Sequence, residues 1–141
     1  MNDGHDLGRF TKAQGESVYR TAVAELRNGR KTSHWMWFVF PQLAGLGRSE
    51  TARFYGISGL AEARAYLAHD ELGKRLAECT SAVLGWSGER SAREIFGEVD
   101  AIKFRSSMTL FEQASDDPDI FAQSLENFYG GERDEKTLAL L

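Results

Sequence analysis

The chain contains one cysteine, Cys79, in 141 residues. An intramolecular disulfide is therefore excluded, and a reducing compartment fits; the cytoplasm is the expected location. Only two prolines occur, Pro41 and Pro118, so breaks between elements must be made mostly by glycine, of which there are fourteen. Long apolar runs are also missing. The densest, Trp35 to Phe40, is six residues, far below the roughly 20 that a membrane-spanning helix needs. The opening MNDGHDLGRF lacks the basic and apolar regions of a signal peptide. Excess positive charge is absent as well. The formal net charge is −4, which argues against a nucleic-acid partner, whose binding requires a basic surface.

What is present is ordinary for a folded protein: 42% hydrophobic and 27% charged residues, with nine Phe, four Tyr and three Trp to build an aromatic core. The length fits a single domain, 1–141, able to bury about two-thirds of its unfolded surface. Apolar spacing is helical. Tyr19, Ala22, Val23 and Leu26 fall at i, i+3, i+4 and i+7, and Gly29 is placed to stop that helix. Leu72, Leu76, Cys79 and Val83 form a second stripe, Phe104, Met108 and Phe111 a third, and Phe121, Leu125 and Phe128 a fourth.

Caps are marked by Asp6, Thr32 or Ser33, Ser49, Ser58, Asp70, Ser91 with Glu94, Asp117 before Pro118, and Asp134. The run Trp35 to Phe40 reads as a short helix or as a strand. No segment alternates in the manner of a hairpin. The expected fold is all-α, an irregular array of about eight mostly short helices.

Three stretches combine residue types that bind ligands. In Lys31–Gln42, KTSHWMWFVFPQ, Trp35 and Trp37 can stack on a planar ring while His34 or Gln42 reads its edge and Lys31 supplies charge. Dense aromatics are also the usual signature of packing, and that is the better reading of Phe38 and Phe40. In GLGRSE, Arg48 and Ser49 follow a glycine turn at a helix start, an arrangement suited to phosphate, although an ordinary capped turn explains the same residues. In DAIKFRSSMTLF, Lys103, Ser106 and Ser107 share one face by i, i+3 and i+4 spacing and could hold phosphate or ribose hydroxyls; a small-residue helix crossing is the competing reading. Cys79 lies on an apolar stripe and reads as core. The three histidines are too widely spaced for a metal site, so no metal and no cofactor are expected.

These blocks together resemble a known family. DLGRFTKAQ, YRTAVAELRNGRKTSHWMWFVFPQLAGLGRSETARFYGI, EARAYLAHDELGKRL, DAIKFRSSMTLF and YGGERDEKTLALL are similar to the family called domain of unknown function 1810. That family is grouped with the YbiA-like, or NADAR, superfamily of helical N-glycosidases, which act on ribosylamino-pyrimidine phosphates or on ADP-ribosylated guanine. The resemblance implies a YbiA-like fold and a small-molecule ribosyl or ADP-ribosyl ligand. EARAYLAHDELGKRL, the Lys103–Phe104 helix and the Tyr129–Leu138 tail carry this wider likeness. Where that superfamily has a Ser-x-Glu-His-type segment with a catalytic Glu, this chain has Ser33-His34-Trp35.

Glycosidic cleavage passes through a cationic, oxocarbenium-like state that needs a carboxylate. Glu50 and Asp134 are the candidates. Lys103 and Arg48 would hold phosphate, and Trp35 or Trp37 the base, all on one pocket. A binding module without catalysis, or a protein-interaction domain, is the alternative.

Overall fold

The computed structural model describes residues 5–141; the first four residues of the opening segment lie outside the described residues. Ten helices and no strand occur among the described residues. They are α1 (Gly8–Ala13), α2 (Glu16–Arg27), α3 (Met36–Val39), α4 (Glu50–Tyr55), α5 (Leu60–Ala68), α6 (Leu72–Leu84), α7 (Ala92–Phe96), α8 (Glu98–Ala114), α9 (Asp119–Tyr129) and α10 (Glu135–Leu140). The fold is all-α, as the spacing indicates, with ten helices rather than about eight. The number is higher because each short apolar run is closed by its own break. Gly97 alone, at φ 83°, separates α7 from α8, a backbone angle that glycine adopts without the Cβ clash of other residues. The aromatic run after Thr32 is a four-residue helix, which disposes of the strand reading. No helix is long and apolar enough to cross a membrane.

The longest helix, α8, organises the rest. Ser106 to Phe111 are all buried, so this half of the helix is covered on every side, packed among α5, α7, α9 and α10. Its first turns differ: Val99 and Ile102 are exposed. One helix thus runs from the surface into the core. Phe104 marks the passage, stacked on Phe96 at 4.8 Å and edge-on to Phe40 at 5.0 Å. Aromatic pairs of this kind add about 0.5–1.5 kcal/mol each beyond area burial.

Local signals fix most helix ends. Ser49 Oγ accepts from Ala52 N at 3.1 Å. Ser91 and Glu94 form a reciprocal capping box, and Asp134 caps α10 by accepting from Thr137 N at 3.1 Å. Gly29, at φ 74°, ends α2; a Cβ there would meet the Trp86 ring at 2.7 Å. Other expected caps are displaced by tertiary contacts. Thr32 and Ser33 do not cap α3, whose N-cap position falls at Trp35, and their amides donate to Glu25 Oε1. Asp70 yields to His69, whose Nδ1 accepts from Glu71 N and Leu72 N. Ser58 yields to Gly59, and its amide donates to Glu62. Asp6 and Asp117 stand one residue before the actual N-caps, Leu7 and Pro118, which make no side-chain cap.

Candidate functional site

An open cleft of about 870 Å³ lies where the surface half of α8 meets α3, the loop after Pro41 and the start of α10. Trp37 and Gln42 form one side. Lys103, Arg105 and Ser106 project from α8, and Glu132 to Lys136 close the other side. Val99, Ile102, Leu46 and Leu138 add apolar surface. Four cations (Lys103, Arg105, Arg133, Lys136) face three carboxylates (Glu132, Asp134, Glu135) in this lining. The local balance is therefore cationic although the chain as a whole carries −4.

Helical geometry explains why these groups meet. Lys103 and Ser106 are one turn apart on α8. Lys103 Nζ sits 3.6 Å from the centroid of the half-buried Trp37 ring, within the range of a cation–π contact. Its nearest carboxylate oxygen, Asp100 Oδ1, is 3.7 Å away. Arg105 is similarly loosely paired, at 3.8 Å from Glu132 and 3.7 Å from Asp134 Oδ1. Arg133 is committed elsewhere. Its guanidinium forks onto Glu112 at 3.0 and 2.5 Å, and that hydrogen bonding raises its pKa.

Asp134 is almost buried, and its two oxygens have different surroundings. Oδ2 accepts from Thr137 N at 3.1 Å and Thr137 Oγ1 at 2.5 Å, and Ser106 Oγ lies 3.0 Å away. Oδ1 faces Arg105. Thr109 Oγ1 accepts from the Asp134 amide at 2.9 Å, tying the segment before α10 to the buried half of α8. This carboxylate is consequently held in place by four groups on two helices.

The residues expected to act together divide between the cleft and other places. Trp37, Gln42, Lys103, Ser106 and Asp134 share the cleft. Trp35 does not stack on anything there. It is 1% exposed, and its indole N–H donates to Glu25 Oε1 at 3.0 Å. Burial alone would raise the Glu25 pKa, but hydrogen bonds from the Ser33 hydroxyl, the Thr32 and Ser33 amides and the Trp35 indole outweigh it and bring it down to about 2. Lys31 is turned inward, paired to Asp100 Oδ2 at 2.8 Å and lying over the Trp35 ring at 5.1 Å.

His34 is exposed and outside the cleft lining. Ser107 points into the core, buried with no hydrogen-bond partner for its hydroxyl, because its i+4 offset from Lys103 carries it past the cleft edge. Ser49 is spent on its cap, and the exposed Glu50 opens α4 outside the cleft. Arg48 lines a neighbouring hollow of about 450 Å³ with Gly45, Leu46, Lys136, Ala139 and Leu140.

The candidates therefore do not all share one pocket: the Trp35, Lys31 and Ser107 side chains and Glu50 lie outside the cleft lining. Glu132, Arg133, Glu135 and Lys136 were not singled out by spacing. The Asp134 cap signal and the resemblance carried by the Tyr129–Leu138 tail pointed to their segment without naming them. No group of three His, Cys, Asp or Glu close enough to hold a metal ion occurs among the described residues.

Comparison with known proteins gives a family and a fold relative. No curated protein matches the sequence. A crystal structure of the conserved hypothetical protein Rv1873 from Mycobacterium tuberculosis is 56% identical, superposes with a TM-score of 0.94, and pairs 99% of this chain with 98% of that one. The model of the family described as "Protein of unknown function (DUF1810)" matches residues 4–141. The chain belongs to the DUF1810 family.

Proposed function

We propose that the cleft binds a small anionic ligand of the ribosyl or ADP-ribosyl class, with its planar ring against Trp37 and its phosphate on Lys103 and Arg105. The observation that carries this reading is the placement of Lys103 over Trp37 at 3.6 Å with only a distant carboxylate partner. A cation held this way is available to a phosphate, and ion pairing with phosphate is stronger than contact with an aromatic face. The likeness of the Lys103–Phe104 helix and the Tyr129–Leu138 tail to the YbiA-like, or NADAR, superfamily supports the same ligand class.

A second reading, N-glycosidic hydrolysis, is favoured by one feature. Asp134 lines the cleft, with Oδ1 paired only to Arg105 at 3.7 Å while Oδ2 takes three hydrogen bonds. A carboxylate so fixed can stabilise the positive charge that develops on the sugar as the bond to the base breaks. Glu50 has no part in this scheme.

Isothermal titration with ribose 5-phosphate and ADP-ribose tests the binding reading. Saturable binding is expected, weakened by about tenfold or more in Lys103→Ala, the loss of one charge-assisted contact, with unfolding temperature unchanged. Absence of binding by both compounds rejects it. Catalysis is tested by chromatographic detection of free base from a ribosylated pyrimidine substrate. Asp134→Asn, which retains the capping ability of the side chain, should abolish release without unfolding the protein.

A further inference from the structure

We infer that the half-buried Lys31–Asp100 pair is a positioning device that keeps the charge of Lys103 available to the cleft. This rests on the anionic-ligand reading above. Asp100 lies between two lysines. Oδ2 is 2.8 Å from Lys31 Nζ, and Oδ1 is 3.7 Å from Lys103 Nζ. The asymmetry has a structural origin. Asp100 and Lys103 are i and i+3 on α8 and would pair closely if left alone. Lys31 comes from a different part of the chain, anchored by its amide, which donates to Ile95 O at 2.7 Å. Its side chain is 8% exposed, so it has little water to turn to and holds the carboxylate firmly. Lys103 is left 3.7 Å from a carboxylate already paired, and rests on Trp37 instead.

The sequence of contacts Trp35, Lys31, Asp100, Lys103, Trp37 thus links the buried indole to the half-buried one in the cleft. Lys31 is not part of the cleft lining, yet it decides whether Asp100 competes with the ligand for Lys103. Coulomb attraction at these distances is large enough for one unpaired charge to change affinity about three- to tenfold.

The two partners of this ion pair should have opposite effects on binding. Lys31→Met frees Asp100 to capture Lys103, and ribose 5-phosphate affinity should fall about three- to tenfold. Asp100→Asn removes the competing anion while still offering an oxygen to Lys31, so affinity should rise by a similar factor. Because Lys31 acts only through the Asp100 carboxylate, the double variant should bind like Asp100→Asn alone. A pair that merely stabilises the fold would weaken binding in both single variants; equal losses, or no change in either, overturn the inference.

A crystal structure of Lys31→Met separates this inference from the ligand reading. Lys103 Nζ should move off the Trp37 ring to within hydrogen-bond distance of Asp100. An unmoved Lys103 overturns the positioning role even if ribose 5-phosphate binds. A moved Lys103 in a protein that binds neither compound upholds the positioning geometry and rejects only the ligand reading.

Discussion

Two groups of charged side chains in this protein share the same chemistry but differ in how completely their charges are satisfied. On α1, Arg9 donates to Glu62 Oε2 at 2.8 Å, to the carbonyl oxygens of Phe54 and Gly56 at 2.7 and 3.0 Å and to Asp6 O at 2.5 Å. Its guanidinium also lies over the Phe10 ring at 4.3 Å. The two side chains are 9% and 4% exposed, and Ser58 N donates to the second Glu62 oxygen at 2.8 Å. In the cleft, by contrast, Lys103 and Arg105 have no ion pair closer than 3.7 Å. Charges whose donors are all used hold elements together. Charges held in place but loosely paired can be taken over by a ligand without breaking the fold.

Substitution should separate the two regions by kind of effect. The largest is expected at the first: Arg9→Ala leaves Glu62 buried without its partner, and breaking such a pair costs about 3–5 kcal/mol. Chemical denaturation should show this loss, whereas Lys103→Ala should shift stability by less than about 0.5 kcal/mol. If the two variants were equally unstable, the distinction between structural and available charge would fail.

A smaller contrast is expected between tryptophans two residues apart. Trp35→Phe removes the indole donor to Glu25 and should cost about 1 kcal/mol of stability without a direct loss of ligand contact. Trp37→Phe should weaken ligand binding and leave stability close to wild type. Reversed outcomes would assign the wrong indole to the cleft.

A third contrast concerns pH. The Glu25 pKa is about 2 in the folded chain against an ordinary value of 4.5. A carboxyl lowered on folding contributes stability that is fully present above its unfolded pKa and lost as pH falls toward its folded one. Stability should therefore decline between about pH 4.5 and 2, and Glu25→Gln should flatten that part of the profile. An unaltered acid limb in the variant would exclude Glu25 as its source.

The sequence was most informative where structure is decided within a few residues. Ser49, Ser91 with Glu94, and Asp134 cap their helices because a side-chain oxygen need reach only three residues ahead. Asp70 misled because His69 Nδ1 takes the amides of Glu71 and Leu72, and Ser58 because α5 has its N-cap one residue later, at Gly59. The pairing of Trp37 with Lys103 spans sixty-six positions and leaves no periodic trace. Composition suggested both tryptophans equally, and only the inward turn toward Glu25 separates them. The Glu132–Lys136 segment enters the cleft because Thr109 and Ser106 on α8 hold Asp134, a match between distant polar side chains that spacing cannot reveal. Lys31 was a candidate for the region, but its side chain pairs with Asp100, a partner sixty-nine positions away that spacing does not reveal.

The most direct measurement is a crystal structure of the protein soaked with ribose 5-phosphate at several concentrations. The phosphate is expected within hydrogen-bond distance of Lys103 Nζ and the Arg105 guanidinium, with Lys103 drawn away from the Trp37 ring. Saturating ligand with an empty cleft, or the phosphate bound elsewhere on the chain, would contradict the assignment of this cleft as the binding site.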